Sequence, residues 1–262
     1  MQLLKDEDEP EHARGYESAD AIFAMQVRDD YRCTFVRTST LRERYGEKVK
    51  VWPNLYFAGY NPELLYVRDD DHRPISGPLG DYHLRTIHEA WLDGQPEVRA
   101  AERVLDVDAN RARYESVPAE SFAELERRAT SSDLDIIGWV RERVWQERLF
   151  FTFNHPAWRL IEESARRLAL GASLELQPDF EFSPRYPWSE QEPLGQFRAP
   201  LNPWVLSAFT PGFDDEVAYR GIATRAGLGH AVGTGKVHEY GLEELVGAFY
   251  VAYAGAALSR DP

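Results

Sequence analysis

RLFFTFNHPAWRLIEESARRLALG, residues 148–171, decides the fold class. It opens as a buried strand over 148–154, where Leu149, Phe150, Phe151 and Phe153 follow Arg148 with no further charge. Pro156 then opens a helix, where its missing N–H costs little, and Ala157, Leu160, Ile161, Ala165 and Leu168 recur at helical spacing up to Gly171. A strand feeding a helix is the repeating unit of an α/β protein. Working outward, DAIFAMQV (20–27) is another short apolar run flanked by charge. Thr38 and Ser39 offer N-caps to LRERY with Gly46 as its stop, and KVKVWPNLYF (48–57) reads as a strand that Pro53 ends. Asp81 can cap a helix over Tyr82–Leu92 whose apolar stripe is Leu84, Ile87, His88, Trp91 and Leu92, and further helices are predicted over 96–105, 121–130 and 133–147. The alternation predicts an α/β fold: a small, mainly parallel sheet, helices on both faces and more helix than strand.

Beyond Leu176 the pattern changes. Six prolines between 176 and 203 break any regular element and predict a long loop or cover. A glycine cluster follows at 221–235, and then LVGAFYVAYAGAAL (245–258), which at 14 residues is shorter than the roughly 20 that cross a bilayer and reads as a buried helix. The expected organisation is one α/β domain over residues 1–190, with 191–262 as a Pro/Gly-rich cover and a helix-rich C-terminal portion on the same core.

Composition excludes several classes. Of 262 residues 43% are hydrophobic and 13% aromatic, with seven Trp, which is a globular chain and not a disordered one. With 30 Lys plus Arg against 44 Asp plus Glu, the net charge of −14 argues against a general partner among nucleic acids or anionic membranes. The single cysteine, Cys33, forbids an internal disulfide and any multi-cysteine metal site. MQLLKDEDEPEHARG lacks the basic end and long apolar core of a secretory signal, so a cytoplasmic location with no membrane span is expected.

Two histidines occupy positions suited to chemistry. His155 follows the strand 148–154 directly, at a strand's carboxyl end, where open α/β sheets place ligands; it could act as a general base, or Asn154 and His155 could merely cap the helix. His83 falls in the first turn of the helix capped by Asp81, at the edge of its stripe and beside free N–H groups. His88 lies within the stripe and reads as a core histidine. Arg28 and Arg32, with Arg37, follow the run 20–27 and could clamp an anion or pair with Asp29 and Asp30. GLGHAVGTGK lacks the order of a phosphate-binding loop, His230 and His238 lack zinc spacing, and no GxSxG elbow is present, so no metal is expected.

VWPNLYFAGYNPELLYV (51–67), GPLGDYH (77–83) and RLFFTFNHPAWRLI (148–161), in this order, together with QVRDDYR (26–32), resemble the WcbI family of capsular polysaccharide biosynthesis proteins over roughly residues 18–190. The resemblance implies a coenzyme A-dependent acyltransferase, using coenzyme A or acetyl-coenzyme A to acetylate a sugar of a capsular or other surface polysaccharide. It implies His83, His155 and Asp81 as catalytic, with His83 preferred as base. Arg28, Arg32 and Asn154 would bind the cofactor, and Asn54, Tyr56 and Tyr60 the substrate. Family members carry a first strand ending in a Gly-Asn-Cys-Gln turn whose thiol is implicated in the reaction. Here no Cys-Gln pair occurs and Cys33 follows the DDYR run, so the expectation is a truncated start or a variant without the thiol. A carbohydrate deacylase and a non-catalytic glycan-binding or scaffold protein are the competing readings.

Overall fold

The computed structural model describes residue 6 and residues 9–175, 192–215, 218–227 and 230–256. Helix α1 (Glu9–Ser18) leads into β1 (Ile22–Met25), and α2 (Thr38–Tyr45) returns the chain to β2 (Val49–Trp52). The two strands pair in parallel, with Ile22 opposite Val49 and Met25 opposite Trp52. Side chains alternate across a strand. Ile22, Val49 and Val51 therefore bury themselves on one face with Leu41 of α2 and Tyr16 of α1, while Phe23, Met25 and Trp52 project from the other. Gly46, at φ 58°, ends α2, and β2 stops at Pro53.

The fold is α/β, and parallel pairing among the described residues is confined to β1 and β2. β3 (Leu64–Tyr66) pairs antiparallel with β4 (Tyr82–Leu84), and β5 (Phe150–Thr152) with β6 (His155–Pro156). The apolar run at 148–154 thus stops at Thr152 and reverses through Phe153 and Asn154. A two-residue connection can only join antiparallel strands, because a parallel return needs a crossover of a dozen residues or more. Residues 82–84 also depart from expectation. They are strand instead of helix, since all three pair with Leu64–Tyr66, and α3 (Arg85–Leu92) starts afterwards with Leu84 at its N-cap.

Helices α4 (Glu97–Leu105), α5 (Val107–Tyr114), α6 (Val117–Ala129) and α7 (Ile137–Arg143) follow, then α8 (Trp158–Gly171) and α9 (Pro203–Phe209). The glycine-rich stretch forms an antiparallel hairpin, β7 (Tyr219–Gly227) and β8 (His230–Tyr240). Gly221 permits its docking: the Ile222 amide donates to the Pro78 carbonyl at 2.8 Å, and a Cβ on Gly221 would lie 2.0 Å from that same oxygen. Finally α10 (Leu242–Gly255) buries Leu245, Phe249 and Tyr253 against Leu84, Ile87 and Trp91 in the largest core. Residues 257 and 258 of the apolar run, like 176–191 of the proline-rich stretch, lie outside the described residues. Among the described residues no helix is long and apolar enough to cross a membrane. A second core joins Phe57, Tyr60, Leu125, Val140, Phe150 and Leu160, and so fixes α8 beside the β1–β2 pair.

Candidate functional site

The outward face of the β1–β2 pair is not fully covered. Phe23 and Met25 are 41% and 47% exposed, although a strand face normally buries such side chains. Together with Trp52 they form one wall of a cleft of about 700 Å³, a size typical of small-molecule sites. Ile161, Ala165, Leu168 and Ala169, one face of α8, form the opposite wall. Asn54 and Leu55 line it just beyond β2, Asn154 in the turn after β5 and Pro156 in β6, and Leu194 also borders it. The cleft therefore includes the carboxyl ends of β1 and β2, where open parallel sheets place ligands.

Asn154 is held at this cleft by two groups distant in sequence, Tyr82 and Tyr66, and by its near neighbour Thr152. The Tyr82 hydroxyl donates to its Oδ1 at 2.6 Å, the Thr152 hydroxyl approaches the same atom at 3.3 Å, and its Nδ2 donates to the Tyr66 hydroxyl at 3.1 Å. Neighbouring His155 is half-buried, its ring edge-on to Tyr82 at 5.3 Å and tilted against Phe197 at 6.2 Å. Its Nδ1 is buried without a hydrogen-bond partner. Burial pushes the His155 pKa below its ordinary value, and a hydrogen bond to the Leu194 backbone opposes this only in part. The imidazole is thereby biased toward its neutral form, which can accept a proton at neutral pH. Neither residue caps α8: its N-cap is Ala157, and the Trp158 amide donates to Glu192 at 2.6 Å.

The remaining residues expected at a site divide clearly. Asn54 is exposed in the cleft, and half-buried Tyr56 packs on Phe153 with the Arg128 guanidinium 4.5 Å over its ring. Arg28 and Arg32 are exposed on the loop after β1, and Arg28 pairs with Asp30 at 2.6 Å. Tyr60 is instead a core residue, 1% exposed, with its hydroxyl held by the carbonyls of Val144 and Glu147. His83 is also in the core. It has no exposed surface, and its ring nitrogens lie 2.8 Å from the Ile75 carbonyl and 3.0 Å from the Tyr253 hydroxyl. Burial lowers its pKa to about 4. Strand pairing puts it there, because β4 is covered by α10. Asp81 is exposed, accepts from the Ser76 hydroxyl at 2.8 Å, and caps no helix. Cys33 is buried and does not line the cleft.

Sequence reasoning missed Phe23, Met25 and Tyr66. The first two were signalled by alternation in DAIFAMQV, where a strand buried on both faces leaves no reason to look for a cleft. Tyr66 carried no local signal, as its partner Asn154 is 88 residues away.

A family model described as polysaccharide biosynthesis enzyme WcbI matches residues 1–177. Among solved structures, one described as WcbI, a novel polysaccharide biosynthesis enzyme, in its native form without a disulfide bond between coenzyme A and a cysteine, superposes with a TM-score of 0.65. That match covers 83% of this chain and 71% of the other at 19% identity, and at this identity it speaks for the fold. No curated protein matches.

Proposed function

Since the chain belongs to the WcbI family of polysaccharide biosynthesis enzymes, we propose that it transfers an acyl group from a coenzyme A thioester to a hydroxyl of a capsular or other surface polysaccharide, or of its sugar precursor, in the cytoplasm. One arrangement carries this reading: an apolar cleft of about 700 Å³ bordered by Asn154, next to a histidine whose buried Nδ1 has no partner. The residues present suit the coenzyme. Arg28 and Arg32, on the loop three residues and more beyond Met25, would hold its phosphates. Asn154 would orient the thioester, and Asn54 and Tyr56 would contact the acceptor. The coenzyme supplies an acyl group already activated as a thioester.

His155 takes the proton of the acceptor hydroxyl as the new C–O bond forms, and returns it to sulfur as the C–S bond breaks. Its lowered pKa keeps it unprotonated for the first of these transfers. Cys33 is 1% exposed and does not line the cleft, so it takes no part in this reading, in which the acyl group passes directly to the acceptor. The same fact favours a second reading, a non-catalytic glycan-binding homologue, which predicts no acyl transfer at all.

Isothermal titration with coenzyme A and acetyl-coenzyme A tests the reading. Saturable binding at one site per chain is expected, weakened about tenfold or more when Arg28 and Arg32 are both changed to Ala, since hydrogen bonds to charged groups contribute roughly 1.5–3 kcal/mol each. Failure of both ligands to bind would overturn it.

A further inference from the structure

We propose that the cleft between the β1–β2 pair and α8 seats an apolar acyl chain of about eight carbons or more, so that the donor is a medium- or long-chain acyl thioester. This rests on the function proposed above and assigns the chemical class of its acyl group.

The walls carry the argument. Phe23, Met25 and Trp52 face Ile161 and Leu168, and Ala165 keeps the groove between them open. Of the polar side chains that border the groove, all but Asn54, the group assigned to the acceptor, have a partner among the described residues, Glu162 pairing with Arg159 at 3.6 Å. The Ser164 hydroxyl donates to the Leu160 carbonyl at 2.7 Å, Arg166 makes two bonds to Glu163 at 3.0 and 2.7 Å, and Asn154 is engaged by Tyr66 and Tyr82. A sugar ring placed between these walls would leave several hydroxyls without partners, each a substantial penalty. Hydrocarbon gives up no hydrogen bonds on entering. An acetyl group would fill only a small part of the roughly 700 Å³ and leave Phe23 and Met25 facing water. A longer chain covers both. Asn154, with His155 beside it, then marks the end where the thioester lies, and the chain runs along α8 away from it.

Titration of the full chain with acetyl-, butyryl-, octanoyl- and dodecanoyl-coenzyme A, below their micellar concentrations, tests this. Burial of each methylene should tighten binding by about fourfold until the cleft is filled. Octanoyl-coenzyme A should therefore bind at least about a hundredfold tighter than acetyl-coenzyme A. Met25→Glu, at an exposed position that tolerates charge, should cut that gain below about tenfold, and Ala165→Phe should do the same by filling the groove; circular dichroism checks that each variant is folded. Equal affinity for acetyl and octanoyl thioesters would overturn the inference and leave the proposed function standing. So would a chain-length gain that survives both variants, because the chain would then sit elsewhere. If no thioester binds, acetyl-coenzyme A included, the proposed function falls and the inference with it.

Discussion

Glu63→Gln should stabilise the protein by roughly 3 kcal/mol at pH 8 and change little at pH 5, as read by denaturant titration at each pH. Glu63 is fully buried and burial raises its pKa to about 7, against the hydrogen bonds from Thr86 and Asn202. The Asn202 amide reaches its Oε1 at 3.3 Å, while its Oε2 has no partner. A carboxyl whose folded pKa lies above its unfolded value of about 4.5 contributes stability in full below pH 4.5 and loses it as the pH rises through 7. At about 1.4 kcal/mol per unit, the shift corresponds to the 3 kcal/mol expected of the variant. His83 acts in the opposite sense. Its pKa falls from 6.5 to about 4, so its contribution is complete above pH 6.5 and lost as the pH drops through 4. Between pH 4.5 and 6.5 the two slopes oppose each other. Removing Glu63 should expose an acid-side loss of about 1.4 kcal/mol per pH unit, steepened by His88 and His155, whose pKa values burial also lowers. A variant with the same pH dependence as the parent would show that Glu63 stays ionised in the folded protein.

His155→Ala should lower the turnover of acyl transfer by about 10²- to 10⁴-fold, the range associated with one general base, while coenzyme A affinity changes by no more than about threefold. Because burial holds its pKa low, the parent's pH–rate profile should remain flat below pH 6.5, and the residual rate of the variant should lose that plateau and rise with hydroxide. His83→Ala gives the contrasting result. It should lower the melting temperature through loss of the contacts to Ile75 and Tyr253, with turnover per folded molecule preserved. Interchanged outcomes would assign the base to His83.

These two histidines also show how far the residues alone could be read. The α/β class was legible in 148–171 and 20–57, since short apolar runs beside Pro- and Gly-bounded helices admit few other folds. The role of the neighbours was not. His83 lies four residues before Ile87, at the edge of the expected helical stripe, yet it pairs across to Leu65, and cross-strand pairing leaves no trace in local spacing. Tyr60 belongs to an aromatic-rich motif, but only the fold shows its hydroxyl turned into the second core, towards Val144. β7 and β8 were hidden because glycines normally weaken strands, and Gly221 is needed for contact with Pro78, 143 residues away in sequence by the numbering of the chain. α5 escaped for a different reason. It has no apolar stripe, buries Asn110 and Tyr114, and depends on the Asp106 carboxylate accepting from the Ala109 amide at 2.9 Å. By contrast, the positions of Asn154 and His155 at a strand's end were legible, while the three groups that hold Asn154 became visible only in the folded chain.

The central claim is that the thioester is bound in the cleft beside Asn154 and His155. A crystal structure of the protein grown with coenzyme A tests it most directly. The account predicts the coenzyme's sulfur within about 4 Å of Asn154 or His155, and its phosphates near Arg28 and Arg32. Coenzyme density bound away from Met25, Trp52 and Asn154, with the cleft filled only by solvent, would contradict it.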